Sequence, residues 1–222
     1  MTQQEPSLEN RRPLKVREVG MVNGFARWLS QKSITPNHIS LLSILFAALA
    51  AVYLFATPYA QGVWKVALYL LAAVFIQGRL LCNLFDGLVA VEGGKSTPSG
   101  ELFNDIPDRI SDPLIIVAAG YSIVSSSYGV ELGWCGALLA VLTAYIRTLA
   151  VSIGAPASFA GPMAKQHRMA LLTVACVAAA VEQYVWQHDF VMLVALVILN
   201  LGALITCWRR AAGAYRFLEH RS

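Results

Sequence analysis

Four oxygen-bearing side chains, set in a chain that is short of charge, carry the first chemical signal. Asp86 ends an otherwise apolar run, Cys82-Asn83-Leu84-Phe85-Asp86-Gly87-Leu88-Val89-Ala90. A carboxylate at the end of a membrane helix faces a bundle interior or a water-filled cavity, because exposing it to lipid is costly. Asn83 lies three residues earlier, so on a helix it shares a face with Asp86. Gly87 and Ala90 remove bulk beside them, which lets a ligand approach the backbone. Gly93-Gly94 is a stop signal, and Thr97-Pro98 opens a second helix with proline near a first-turn position. That helix carries Asn104, Asp108 and Asp112 on one stripe and Glu101 and Asp105 on the next. Two antiparallel helices presenting Asn83 and Asp86 on one side, and Asn104 and Asp108 on the other, would converge on one pocket. Oxygen-only ligands suit a hard cation such as Mg2+ or Mn2+, which in turn binds phosphate. Position alone leaves a second reading open, in which these are solvated loop carboxylates or helix caps.

The elements that must position these groups follow from composition. Of 222 residues, 57% are hydrophobic and 14% charged, with a mean hydropathy of +0.57. Soluble domains run at about 45–50% apolar and about 25% charged, so a disordered chain, a disulfide scaffold and an ordinary cytosolic enzyme are all disfavoured. The expected fold class is all-α: a polytopic membrane protein of six transmembrane helices preceded by an interfacial amphipathic helix. The spans fall roughly at 39–57, 63–83, 112–128, 133–153, 169–187 and 190–208, near the ~20 residues that cross a bilayer. Residues 1–10 read as a flexible tail. In 11–33, Val22, Phe25 and Leu29 alternate with basic residues as an interfacial helix does. The membrane domain is 34–210 and a basic tail is 211–222. Ser33-Ile34-Thr35-Pro36-Asn37 is the turn or cap that starts the first span.

Charge sets the topology. Short loops at Thr57-Pro58, Ser125-Ser126-Ser127 and Gln187-His188-Asp189 fall on a face whose only basic residue is Lys65. Nearly all other Lys and Arg sit in the opposite connections and at the two ends, so both termini are expected in the cytoplasm. The pI near 9.0 is read as topology signals and anionic-lipid contacts, with no nucleic-acid partner. The opening thirty residues lack the apolar core of a signal peptide. Cys82, Cys135, Cys176 and Cys207 are scattered singly and read as packing residues. His38, His188 and His220 show no ligand spacing, and His167 falls in a basic cluster. Six of the thirteen acidic residues lie between 86 and 112, so chemistry is expected there.

The spacing of that segment resembles the CDP-alcohol phosphotransferases. Their signature reads Asp-x2-Asp-Gly-x2-Ala-Arg-x8-Gly-x3-Asp-x3-Asp, and this chain keeps its register from Asn83 to Asp108 without insertion or deletion. Asp86, Gly87, Ala90, Gly100 and Asp108 match; Asn83, Val91 and Asn104 depart. Thr35-Pro36-Asn37 is similar to the segment opening that family's first span. Arg147 is similar in placement to a basic residue of its fourth span, and Gly161–Arg168 resembles its basic cluster before the fifth. The Asn-substituted form resembles a bacterial inner-membrane branch.

The resemblance implies a six-helix enzyme, usually a homodimer, whose acidic pocket opens to the cytoplasm. Its partners are a CDP-alcohol donor such as CDP-diacylglycerol, an acceptor alcohol and membrane lipids. An acceptor hydroxyl attacks the β-phosphorus and CMP leaves. The implied metal ligands for Mg2+ or Mn2+ are Asp86, Asn83, Asn104 and Asp108, with Asp108 also the general base. Gly87, Ala90 and Gly100 would make room for cytidine and pyrophosphate, and Arg147, Lys165 and Arg168 would bind phosphate. Two Asp-to-Asn departures lower ligand charge, so weaker metal binding or a single tightly held ion is expected. Asp105 and Glu101 are candidates to compensate, and Arg79 or Lys95 to replace the arginine missing at Val91. Two other classes compete with an active transferase. One is an impaired relative that binds lipid or nucleotide or scaffolds other proteins. The other is a transporter, against which stand acids clustered at one face and no span broken near its middle.

Overall fold

The computed structural model describes residues 35–92 and 99–220, and among these described residues every regular element is helical. The expected tail and interfacial helix, the Gly93-Gly94 stop, Thr97-Pro98 and Lys95 lie outside the described residues, as do the side chains of Val91 and Glu101. Six long helices follow in order: α1 (Pro36–Ala56), α2 (Gly62–Glu92), α3 (Gly100–Tyr121), α4 (Gly129–Ser152), α5 (Lys165–Val185) and α6 (Phe190–Glu219). A single 3₁₀ turn, Thr57–Tyr59, joins α1 to α2. At about 1.5 Å per residue, the shortest of these spans about 30 Å, the thickness of a bilayer core. Five of the six are long and apolar enough to cross a membrane. The exception is α3, whose first half carries the acidic stripe.

Helix ends depart from the sequence expectations in both directions. α2 runs on to Glu92 and α6 to Glu219, so the expected basic tail at 211–222 is largely a helical continuation. Hydropathy marks only the oil-immersed part of a helix, and both of these extend beyond it. α3 ends at Tyr121 and Ser122–Tyr128 is connection, which corrects the span placed at 112–128. Its apolar Tyr121-Ser122-Ile123-Val124 made a loop look like membrane. The Thr35 cap is as expected: its side chain accepts the backbone N–H of His38 at 3.3 Å, with Pro36 in the first turn.

The helices close a ring in which each packs on two neighbours, in the order α1, α3, α4, α6, α5, α2 and back to α1. Where the solvent is hydrocarbon, packing and polar contacts hold helices together, and small residues let backbones approach. α3 and α4 show this: a Cβ on Gly120 would lie 2.6 Å from the Gly129 carbonyl oxygen and 2.8 Å from Gly133 Cα. Alanines such as Ala47, Ala50, Ala72 and Ala118 fill the interior, while Trp64, Leu138, Val174 and Leu201 point outward. That inversion of the soluble pattern is what a lipid surround requires.

Consecutive helices α2 and α3 barely touch; α1 packs against both. The gap between them, at the end of the bundle holding Thr35, Glu92, Gly100, Ser152, Lys165 and Glu219, is bridged by side chains.

Candidate functional site

α2 contributes three polar groups at helical spacing on one face, Arg79, Asn83 and Asp86. Arg79 is wholly buried, and its Nη2 lies 2.7 Å from Asp108 Oδ1 and 2.6 Å from Asp112 Oδ1. Asn83 donates its amide N–H to Asp108 Oδ1 at 3.3 Å. Asp86 is 3% exposed and accepts the Ser40 hydroxyl of α1 on Oδ2 at 2.7 Å. Its other oxygen, Oδ1, is buried with no hydrogen-bond partner.

From α3, Asp108 and Asp112 are both buried. Lys165, at the first turn of α5, pairs with Asp108 Oδ2. Arg168, one turn on, pairs with Asp112 Oδ2 at 2.8 Å and donates through Nη1 to Thr143 Oγ1 and the Met163 carbonyl. A continuous ladder therefore runs Lys165–Asp108–Arg79–Asp112–Arg168, charges alternating. Buried charge is tolerated only when paired in this way.

A cavity of about 250 Å³ opens in front of the ladder, lined among others by Asn83, Asn104, Asp108, Arg147, Lys165 and Arg168. Six of the ten residues singled out from sequence thus share one wall. Gly87, Ala90 and Gly100 do not line it, and Asp86 sits behind it on Ser40. Asn104 is exposed. Arg147 pairs with Asp105 at 3.1 Å and lies over the Phe159 ring, 5.5 Å from its centroid. Asp105 also holds Arg109 at 2.6 Å. Arg210 reaches the same cavity from α6, donating to the Thr143 and Ala160 carbonyls.

Sequence reasoning did not single out Ser40, Phe159 or Arg210, and it placed Asp112 on the acidic stripe without a partner. Arg79 entered only as a candidate stand-in for a missing arginine. The available signal was Arg79 itself: an arginine deep in an apolar run needs a partner inside the bundle. Arg168, expected on phosphate, has both Nη atoms engaged by protein groups.

The donor chemistry fits a hard cation in part. The orphaned Asp86 Oδ1 is the group such an ion would satisfy, and Asn83 offers a carbonyl oxygen because its N–H₂ faces Asp108. Among the described residues, no three carboxylate, imidazole or thiol side chains converge as a metal cluster. All four cysteines are free, and Cys135 alone is exposed.

At the opposite end, Lys65 and Asp189 form a separate buried ion pair at 2.7 Å, joined by Gln183. Glu182 accepts the backbone N–H groups of Phe190 and Val191, capping α6.

The sequence model of the CDP-alcohol phosphatidyltransferase family matches residues 33–209. No curated protein sequence matches the chain. Among solved structures, the chain is similar to Mycobacterium tuberculosis phosphatidylinositol phosphate synthase with CDP-DAG bound. The identity is 20%, the TM-score 0.72, and the match covers 88% of this chain and 94% of that one. The same enzyme in complex with manganese and citrate gives 20% identity and a TM-score of 0.72, covering 87% and 88%. Its apo form gives 19% and 0.70, covering 86% and 95%.

Proposed function

The chain belongs to the CDP-alcohol phosphatidyltransferase family, a membrane transferase of phospholipid biosynthesis, and we propose that its donor is a CDP-diacylglycerol-type lipid and its acceptor a small alcohol. The acceptor hydroxyl displaces CMP from the β-phosphorus. The enzyme reading is favoured over the impaired relative and the transporter.

The observation that carries the site assignment is the convergence of α2, α3 and α5 on Asp108 at the cavity wall. Asp108 is the general base. It is buried, reaches the cavity, and is held in one orientation by Arg79 and Asn83 on Oδ1. Its other oxygen is held by Lys165, whose side chain is 28% exposed and so able to move. A donor phosphate entering the cavity competes for that ammonium. Drawing Lys165 away leaves Asp108 Oδ2 to take the acceptor proton, which couples binding to uncovering of the base. Arg147, half-turned to the cavity over Phe159, meets the second phosphate as a rigid fork. Arg168, at the cavity wall with both Nη atoms engaged by protein groups, fixes Asp112 and through it Arg79.

Asp86, with the Asn83 and Asn104 carbonyl oxygens, would hold a divalent cation, Mg2+ or Mn2+. Such an ion supplies positive charge against the pyrophosphate and the developing charge on CMP. Gly87, Ala90 and Gly100 leave room along α2 and α3 for the nucleotide. The protein works as a homodimer in a bacterial inner membrane, with both termini and the cavity on the cytoplasmic side, supported by the basic residues around that end. The test is CMP release from purified protein with Mg2+ or Mn2+ and a panel of CDP-alcohols and acceptors. Turnover with a CDP-diacylglycerol is expected; no CMP from any donor, with no cytidine-nucleotide binding, refutes the proposal.

A further inference from the structure

The buried ladder uses up nearly all of its own negative charge. Asp108 gives Oδ1 to Arg79 and Oδ2 to Lys165; Asp112 gives Oδ1 to Arg79 and Oδ2 to Arg168. All four of these oxygens face protein cations. Three carboxylates (Asp86, Asp108, Asp112) are matched by three cations (Arg79, Lys165, Arg168). One carboxylate oxygen is left over: Asp86 Oδ1, buried and unpartnered. Asn83 and Asn104, also at this end, are neutral, and the one further carboxylate that lines the cavity, Asp105, is engaged by Arg109 and Arg147.

From this arrangement we propose that Arg79 is a permanent, protein-supplied cation, a positioning residue that takes Asp108 and Asp112 out of metal binding and leaves a single divalent-ion site anchored on Asp86. Asp108 is then a base and not a ligand, which narrows the ligand set expected from sequence. The physical reasons are geometric. Arg79 is wholly buried and straddles two carboxylates on successive turns of α3, so its guanidinium sits between them as an ion would. An arginine stays charged at any working pH, and removing it from a buried network leaves uncompensated charge. A dication placed beside Asp108 would also face Arg79 and Lys165 at close range, and the repulsion opposes its entry. Asp86 makes no ion pair among the described residues; its hydrogen bond comes from the neutral Ser40 hydroxyl, and the cation that acts on it is the movable Lys165. Lys165 can be drawn off by substrate, whereas Arg79 has no exposed path. The division of labour between the two carboxylates therefore persists when the cavity is filled.

The inference rests on the family reading, but its test does not depend on turnover. Mn2+ is titrated into the purified full-length chain in a non-ionic detergent, and bound ion is counted from the loss of the free Mn2+ paramagnetic resonance signal. The wild-type chain is expected to hold one Mn2+. Asp86→Asn is nearly isosteric and keeps its contact to Ser40; it should weaken that binding at least tenfold. Arg79→Gln, which frees an oxygen on each of Asp108 and Asp112, should admit a second ion, and Arg79→Lys should not. Two ions on the wild-type chain, none, or one that survives Asp86→Asn overturns the proposal even if Arg79→Gln fails to fold. A chain that releases CMP yet holds two Mn2+ keeps the family reading and loses this one. A chain that holds one ion at Asp86 and releases no CMP does the reverse.

Discussion

The Arg168–Asp112 pair offers the sharpest test of how the site is held. Arg168 is 2% exposed and Asp112 is 1% exposed, and their closest atoms are 2.8 Å apart. At an effective dielectric constant of about 20, unit charges at that separation attract by about 6 kcal/mol. The desolvation of two buried ions offsets much of this, so the pair's net contribution is small. Breaking it from one side is different, because the remaining charge stays buried and uncompensated, at a cost of about 3–5 kcal/mol. Arg168→Met should therefore lower the unfolding midpoint by roughly 10 °C, at about 2–4 °C per kcal/mol for a chain of this size. Asp112→Leu alone should be at least as harmful, since it strands Arg168 and half of Arg79. The double variant Arg168→Met/Asp112→Leu removes both charges and leaves Arg79 its partner Asp108. It should recover a coupling energy of about 2 kcal/mol or more, read as a double variant more stable than the two single losses add up to. Thermal unfolding in detergent, followed by loss of helical circular dichroism, measures all four proteins. Losses that add to within about 0.5 kcal/mol mean the two side chains do not interact, and the ladder would be wrong.

Other outcomes follow from the same geometry. Asp108→Asn should cut CMP release by about 10²–10⁴-fold while the protein still elutes as a folded species; undiminished turnover refutes its role as base. Arg147→Ala should raise KM for the donor or a phosphorylated acceptor more than it lowers kcat, and an unchanged KM for both removes it from the binding surface. Gly120→Ala should destabilise by about 1–3 kcal/mol, because its Cβ meets backbone on α4; Gly213→Ala, with open space around it, should be neutral in the same melt. Asp189→Ala strands Lys65 at the far end and should lower the melting midpoint without changing kcat. A fall in kcat at full folding would couple that end to the site.

Much of this architecture is legible in the chain because each signal is local. The Thr35-Pro36 cap, the stripe on α3 and the Asn83–Asp108 register depend on spacing along one or two helices. What is not legible depends on which helices become neighbours. Ser40 reaches Asp86 only because α1 packs against both α2 and α3, and nothing near Ser40 in sequence signals a carboxylate 46 residues away. Arg79 and Asp112 are each visible as charges among apolar residues, but their pairing needs the gap between α2 and α3. Arg168 looked like a phosphate ligand because basic clusters at helix starts often are; its burial against Asp112 turns it inward. The overlong third span has a plainer cause, an apolar loop that hydropathy alone cannot distinguish from helix.

The most direct measurement is CMP release from a CDP-diacylglycerol by the purified wild-type chain and by Asp108→Asn, each with saturating Mn2+ and a panel of acceptor alcohols. Steady turnover by the wild type and near-complete loss in the variant, with both proteins folded and binding cytidine nucleotide alike, is the result predicted here. Equal CMP release from both, or none from a folded wild-type chain that binds no cytidine nucleotide, would contradict it.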